Sequence, residues 1–425
     1  MTWALMESFR RQDVRVQHFV ARACFPEHPA AAAITGLRTR YLDSWLMDEM
    51  VCRELFASGS EPADLSLIEG DFRRPDTTGQ GWGGDLETLC QWLRVPRIVL
   101  LDASRIAGGF PQRPANVDGV LLDQVGDQPN QARLSTDVET AWGVPVVGSL
   151  PAAPEFGRRL AGLLPGESPP ADLVRDLGDH LTQSWRPETL HRLSRKDSLP
   201  PLVGRLFQVK TAALRLTVAV AFDEAFCQYF PCALDMLEAC GATVVDFSPL
   251  RDEHLPADCD IVLLGGGYPE RYASMLSDNH CMKTALRNHV RWGRRIYGEG
   301  AGLAFLCQQM ATADGELARM AGLLPATARL LEPSSAPVPV ESTLWRPNWM
   351  GHAGVRVRGY RNPRWTLDPS NGLDGFLFGD EYRLDMMGTF QVISSLLEVH
   401  FGTQPNLLNH FFYPHRPTPP DVDPW

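Results

Sequence analysis

The chain reads as an α/β protein built from two units, each resting on a parallel sheet covered by helices. Three observations predict that class. Short apolar runs alternate with helical stretches through the first half, the pattern of strand–crossover–strand units. In the second half, apolar runs break into glycine turns that open helices, most plainly from Ile261 to Leu306. Thirty-six glycines and 34 prolines punctuate the whole chain, and no repeat of solenoid period appears.

A length of 425 residues allows two or three domains at roughly 150 residues each. With 51 acidic against 40 basic residues, the net charge is −11. That balance argues against non-specific nucleic-acid binding, so no nucleic-acid partner is expected. No apolar run has the roughly 18 residues of a membrane span, and Met1–Glu7 has no basic segment ahead of an apolar core, so neither membrane nor signal peptide is expected. Nine scattered cysteines form no C-x-x-C pair and read as the reduced thiols of a cytoplasmic protein. No metal site is expected, because histidines and cysteines do not cluster at ligand spacing.

In chain order, Trp3, Leu5, Met6 and Phe9 make an amphipathic helix over residues 2–11, followed by a strand at Val14–Phe19. Further strands are predicted at Leu65–Glu69, Arg97–Asp102, Val117–Leu122 and Pro145–Gly148, with helices at Asp48–Phe56, Asp85–Trp92 and Ala171–Thr182. Trp185–Ala213 is weakly periodic and reads as a connection with one short helix. Arg215–Ala221 is a strand, Ala233–Cys240 a helix closed by Gly241, and Thr243–Phe247 a strand. Pro337–Val340, Gly354–Gly359 and Thr389–Val399 are expected as short antiparallel strands flanking the main sheet. The proline-rich end, Pro414–Trp425, is expected to be disordered.

The chemistry concentrates at Ile261–Leu306. Strand Ile261–Leu264 ends in Gly265-Gly266-Gly267-Tyr268-Pro269-Glu270, whose backbone N–H groups suit an oxyanion. Helical sequence to Trp292 and a strand at Arg295–Gly298 follow, then a turn, Glu299-Gly300-Ala301-Gly302, into a helix predicted over Leu303–Met310. Strand, sharp glycine turn and helix is the layout of a nucleophile elbow. Cys307, about two helical turns beyond that turn, reads as a core thiol. Glu299 and Glu398 are two carboxylates that folding would bring together, as polar rim residues or as the acid/base pair of a different reaction, while His254 and His280 read as surface residues.

These motifs resemble the cobyrinic acid a,c-diamide synthase family, ATP- and glutamine-dependent enzymes that amidate corrin carboxylates. Besides the GGGYPE loop and elbow, the likeness is carried by Val218–Cys227, Phe247–Glu253, Arg15-Val16-Gln17, Leu42–Leu46, Ile68-Glu69-Gly70, Leu101–Ser104 and Val144–Gly148. It implies an N-terminal P-loop-like parallel-sheet domain (dethiobiotin synthetase-like, ATP-binding) over 1–185, a linker over 186–213, a class I glutamine amidotransferase-like domain over 214–412 and a tail from 413. ATP and Mg²⁺ are implied by the resemblance alone, with Glu69 and Asp43 as the surviving nucleotide- or Mg²⁺-side acids and Gly265, Gly266 and Gly267 as the oxyanion-hole-like loop.

The chain departs from the family where chemistry is concentrated. Gly300 stands at the nucleophile cysteine position, Glu398 stands at the histidine base position, and His400 alone remains of a histidine pair. An Arg-Gly-His-Glu segment survives as Arg358-Gly359-Tyr360-Arg361. Val20 and Cys24 replace a lysine and an aspartate near the nucleotide, and only Glu27 keeps an acid. No G-x-x-x-x-G-K-[ST] loop occurs, and the sequence opens on the helix that follows that loop in the family.

The resemblance therefore implies a degenerate, non-catalytic paralogue that binds a corrinoid, an active paralogue or a strand-donating subunit, with oligomerisation open. The alternative is an active diamide synthase, either ammonia-dependent or with an earlier start. For a corrinoid, Arg294, Arg295, Arg356 and Arg358 are the candidate partners of its carboxylates. The family's phosphate-loop strand lies inside its sheet, so an empty slot is expected unless the neighbours re-pair, another chain donates a strand, or the protein starts earlier.

Overall fold

A computed structural model of the chain describes residues 1–71, 83–108, 110–126, 128–194, 204, 206, 215–331, 337–369, 375–378, 385–389, 391–401 and 404–414. The connection predicted over 185–213 and the proline-rich end lie largely outside the described residues. Among those described, no helix is long and apolar enough to cross a membrane.

The first half runs α1 (Thr2–Arg10), β1 (Val16–Val20), α2 (Ala30–Thr35), β2 (Arg40–Tyr41), α3 (Glu49–Ser60), β3 (Leu65–Glu69), α4 (Leu86–Leu93), β4 (Ile98–Asp102), β5 (Gly119–Val125), α5 (Gln128–Trp142), β6 (Val146–Pro151), α6 (Pro154–Ala161), α7 (Ala171–Thr182) and α8 (Pro187–Ser194). Asp48 caps α3 by accepting from the Val51 N–H, and Asp85 caps α4 by accepting from Thr88. The apolar stripe of α1, with Leu5, Met6 and Phe9, packs against Leu173, Leu177 and Leu181 of α7 and against Leu121 and Val147 of the sheet. Pairing in this half stops short of one sheet. The strands form two parallel three-stranded sheets, β2-β1-β3 and β4-β5-β6, and β3 does not pair with β4.

The second half runs β7 (Leu216–Ala221), β8 (Phe226–Gln228), α9 (Pro231–Ala239), β9 (Ala242–Phe247), β10 (Ile261–Leu264), β11 (Gly266–Gly267), α10 (Ala273–Asp278), α11 (His280–Arg291), β12 (Arg295–Glu299), α12 (Ala301–Leu306), β13 (Cys307–Ala311), β14 (Leu317–Arg319), β15 (Leu324–Leu330), β16 (Val338–Leu344), β17 (Arg356–Arg361), β18 (Trp365–Pro369), β19 (Gly375–Phe378), β20 (Asp385–Gly388), β21 (Val392–Ser395), β22 (Leu397–Val399) and α13 (Pro405–Phe412). Here the sheet is continuous. Ten strands run β22-β17-β16-β19-β20-β21-β12-β10-β7-β9, parallel from β21 to β9.

Two expectations are corrected here. The helix predicted over Leu303–Met310 ends at Leu306, because Cys307–Ala311 pairs with β14 and β15, and that pairing overrides local helical pattern. Thr389–Val399 is two strands rather than one flanking strand: β21 pairs parallel to β12 and antiparallel to β20, and β22 pairs antiparallel to β17. The halves meet through a shared apolar cluster that joins Phe19, Leu42 and Leu55 to Phe230, Trp349 and Phe411.

Candidate functional site

The elbow is built as its sequence predicts. After β12 the chain turns at Gly300, with φ 50° and ψ −101°, and enters α12. This is backbone that side-chain-bearing residues rarely adopt. The Gly300 N–H donates to the Ser395 carbonyl at 3.0 Å, and the Gly302 N–H to the Gly265 carbonyl at 2.9 Å. Gly302 is required by close approach, because a Cβ there would sit 2.1 Å from the Leu264 carbonyl oxygen. A Cβ at Gly300 would meet nothing within 4 Å. The turn thus keeps the shape that presents a nucleophile, together with room for its first carbon, while the residue has no side chain.

Around that turn the glycine loop is tied down. The Gly265 N–H donates to the Tyr229 hydroxyl at 2.9 Å, and that hydroxyl in turn donates to the Ala221 carbonyl. Gly266 and Gly267 pair with β8. The cavity beside Gly265 and Glu299 has a volume of about 30 Å³ and is walled by Tyr229, Tyr297, Val399 and Phe401.

Glu299 and Glu398 are brought into each other's field. Glu299 is buried, and its Oε1 accepts from the Tyr297 hydroxyl at 2.7 Å and the Val399 N–H at 3.1 Å. Burial, with the neighbouring Glu398 and Asp385 charges adding, pushes its pKa up to about 8. Glu398 accepts from the Asn362 amide at 3.0 Å, its other oxygen is buried without a hydrogen-bond partner, and burial pushes its pKa up to about 7. These are interior carboxyls rather than the polar rim residues expected from sequence. His400 is held by the segment around Phe230 and Cys232. Its Nε2 lies 2.9 Å from the Cys232 sulfur, its ring 4.7 Å from the Phe230 ring, and burial lowers its pKa to about 4. Burial also pushes the Cys232 thiol up to about 12, so near neutral pH the pair is an uncharged thiol and a neutral imidazole.

The two acids implied for nucleotide or Mg²⁺ differ. Asp43 is fully buried, and its carboxylate accepts from the N–H groups of Ala23, Trp45 and Leu46 and from the Tyr360 hydroxyl at 2.7 Å. Burial raises its pKa despite these donors. It joins the halves and leaves no side open to an ion. The Tyr360 hydroxyl also accepts from the Gly84 N–H at 2.9 Å. Glu69, at the end of β3, is half-exposed and lies 3.1 Å from His18 Nε2. Burial acts to raise its pKa, but the His18 hydrogen bond and charge outweigh it and hold it below the usual value. Among the described residues, Asp43 is closed to an ion by these donors, while Glu69 keeps a half-exposed carboxylate held beside His18.

His254 and His280 are exposed, and Cys307 is buried at the start of β13. The arginines expected to meet a ligand's carboxylates are committed elsewhere. Arg294 donates to the Cys259 carbonyl, and Arg295 donates to the His410 and Phe411 carbonyls. Arg356 and Arg358 both pair with Glu341. Sequence reasoning missed Tyr229, Tyr297, Asn362 and Cys232, which reach the site from separate segments with no shared spacing to signal them.

Residues 217–362 match the CobB/CobQ-like glutamine amidotransferase domain. Over 446 aligned residues the chain is 29% identical to a cobyrinate a,c-diamide synthase of Salmonella typhimurium, covering 97% of this chain and 94% of that protein. Another such synthase, from Synechocystis, is 29% identical over 97% of this chain and 89% of its own length. One from Priestia megaterium is 28% identical over 78% and 74%.

Proposed function

The chain belongs to the cobyrinate a,c-diamide synthase family, and from that premise we propose that it is a non-catalytic paralogue serving cobalamin biosynthesis as a corrinoid-binding protein or partner subunit. One observation carries this reading: the elbow keeps its strained turn and its space at Gly300, yet offers no nucleophile. Glutamine hydrolysis needs a nucleophile, a base and an oxyanion hole together. Glu398 stands where the resemblance puts the base, His400 is bonded to Cys232, and the Gly265 N–H is held by Tyr229.

The test is to titrate the protein with cobyrinic acid, then incubate the complex with ATP and Mg²⁺ and either glutamine or ammonium. Mass spectrometry reads the corrin. The proposal expects binding below millimolar concentration and unchanged corrin mass with both nitrogen sources. Amidation with glutamine would overturn it, and amidation with ammonium alone would establish an ammonia-dependent ligase instead. Absence of binding at millimolar cobyrinic acid would remove the corrinoid role and leave the partner-subunit role.

A further inference from the structure

Cys232 and His400 make a site that glutamine chemistry does not use. Cys232 is the second residue of α9, so its sulfur sits in the helix's first turn. The N–H groups of Cys232 and Ala233 face that sulfur and favour its ionised form. His400 Nε2 lies 2.9 Å away, within reach of the thiol proton. Arg40 of β2 brings a positive charge across from the first half, held by Asp235 of α9 through an ion pair of 2.7 Å. Arg40 favours the thiolate and Asp235 opposes it. A helix N-terminus, a base and a neighbouring guanidinium are what make a cysteine reactive. Burial outweighs them and keeps the pair a neutral thiol and a neutral imidazole. No such set surrounds Cys307, on which burial acts by itself, and the Cys259 sulfur is farther from its histidine, 3.7 Å from His289.

The pair lies under an aromatic cover, and two of its three rings belong to the first half. The Phe230 ring lies 4.7 Å from the His400 ring and Phe25 stacks on Phe230 at 4.6 Å. Tyr41 meets Phe230 edge-on at 5.1 Å and Phe25 at 5.4 Å. Tyr41 is buried in the cluster the halves share, whereas Phe25 is only half-buried. Phe25 belongs to residues 21–29, which form neither helix nor strand. That segment is fastened on both sides of Phe25. The Ala23 N–H donates to Asp43 at 2.9 Å, and the Glu27 carbonyl accepts from the Tyr268 hydroxyl at 3.0 Å and from the Gly166 N–H at 2.8 Å. Phe25 is thus the movable part of the cover, carried between two fixed points.

We propose that Cys232 is a latent thiol-modification site that opens when Phe25 lifts from Phe230, with a small disulfide as its co-substrate and His400 as its base. Water reaching the pair relieves the penalty of burial, while His400, the helix N–H groups and Arg40 remain in place. His400 Nε2 then takes the thiol proton, and the thiolate attacks one sulfur of the disulfide R–S–S–R. The new bond makes Cys232–S–S–R, the old S–S bond breaks, and the second sulfur leaves with the electron pair and takes the proton back from His400. Cys232 is oxidised to a mixed disulfide and the reagent is reduced to one thiol. In so closely packed a junction the added group keeps Phe25 displaced, so modification loosens the contact between the halves.

Glutathione disulfide, added to the full chain near neutral pH, tests this, with mass spectrometry of the peptides following each cysteine. The exposed Cys281 reports the reagent, and Cys307, as deeply buried as Cys232 but without a histidine, reports opening of the whole fold. Cys232 should be modified about tenfold or more faster than Cys307, because a local opening suffices for it. Phe25→Ala should speed Cys232 by about another tenfold and leave Cys281 unchanged. Should that variant misfold, Phe25→Leu, which keeps an apolar contact without the stacked ring, serves the same purpose. His400→Gln should slow Cys232 and move its rate profile to higher pH, since the thiol then ionises without a base. Equal rates at Cys232 and Cys307 would show that only global unfolding exposes the thiol and would overturn the proposal. A Cys232 left unmodified while Cys281 is consumed, in both the wild-type protein and the Phe25 variant, would overturn it too, as would a pH profile that His400→Gln does not move.

Discussion

The two halves of this molecule depart from their relatives in opposite ways. In the second half the backbone is complete. Ten strands pair without interruption, the elbow turns at Gly300, which carries no side chain, and Glu398 stands where the resemblance puts a base. In the first half a carboxylate of the implied site is still present at Glu69, but the sheet that should present it is divided between β3 and β4. A side chain can be lost at a sheet's rim without disturbing the ladder beneath, because the turn's hydrogen bonds are made by backbone. An open ladder instead leaves N–H and C=O groups that need a partner or water, each buried one costing about 1–3 kcal/mol. The second half therefore keeps a continuous sheet under altered chemistry, while in the first the described ladder stops between β3 and β4.

The largest effect expected from this contrast separates the two acids once grouped together. Asp43→Ala leaves three backbone N–H groups and the Tyr360 hydroxyl without their acceptor at the junction of the halves, and should cost about 3 kcal/mol or more. Glu69→Ala, removing a half-exposed carboxylate, should cost no more than about 1 kcal/mol. Urea unfolding of both variants reads the difference, and equal losses would break the distinction.

The elbow's backbone gives the next. Gly302→Ala drives a Cβ into the Leu264 carbonyl and should cost about 2–3 kcal/mol. Gly300→Cys meets no neighbour and should cost only the strained φ, about 1–2 kcal/mol. A reversed order of melting temperatures would mean that the turn is not held as described.

A smaller effect per unit of pH comes from the interior carboxyls. Glu299 and Glu398 have folded-state pKa values raised to about 8 and about 7, above those of an unfolded chain. The stability they lend is fully present below the unfolded value and is lost as pH rises through about 7 and then 8. His400 and His289, lowered to about 4, act in the opposite sense but only below about pH 6.5, so from 6.5 to 8.5 they no longer contribute. Stability should fall there by up to about 1.4 kcal/mol per pH unit for each group. The double variant Glu299→Gln, Glu398→Gln should flatten the slope, and an unchanged slope would assign it elsewhere.

Much of the fold was legible because it is local. Leu65–Glu69, Ile261–Leu264 and Ala171–Thr182 fall where apolar periodicity puts them. α5 and α6 escaped that reading, the first being largely polar and the second burying no residue fully. Cys307 was legible as a core thiol but not as a strand, since β13 is made by β14 and β15 rather than by its own pattern. At the site, Gly300 announced itself in the sequence. The Tyr229 hydroxyl on Gly265, the His400–Cys232 pair and the closure of Asp43 by Tyr360 did not, because each joins residues distant along the chain.

The central claim is that a well-formed elbow here carries no glutaminase chemistry, and glutamate release from glutamine tests it most directly. Wild-type protein and Gly300→Cys, assayed side by side near neutral pH, should both remain at the no-protein blank. The variant regains a thiol, but Glu398 is no histidine base and the Gly265 N–H is held by Tyr229. Glutamate release by the wild-type protein, abolished by a thiol-directed glutamine analogue, would contradict the account outright.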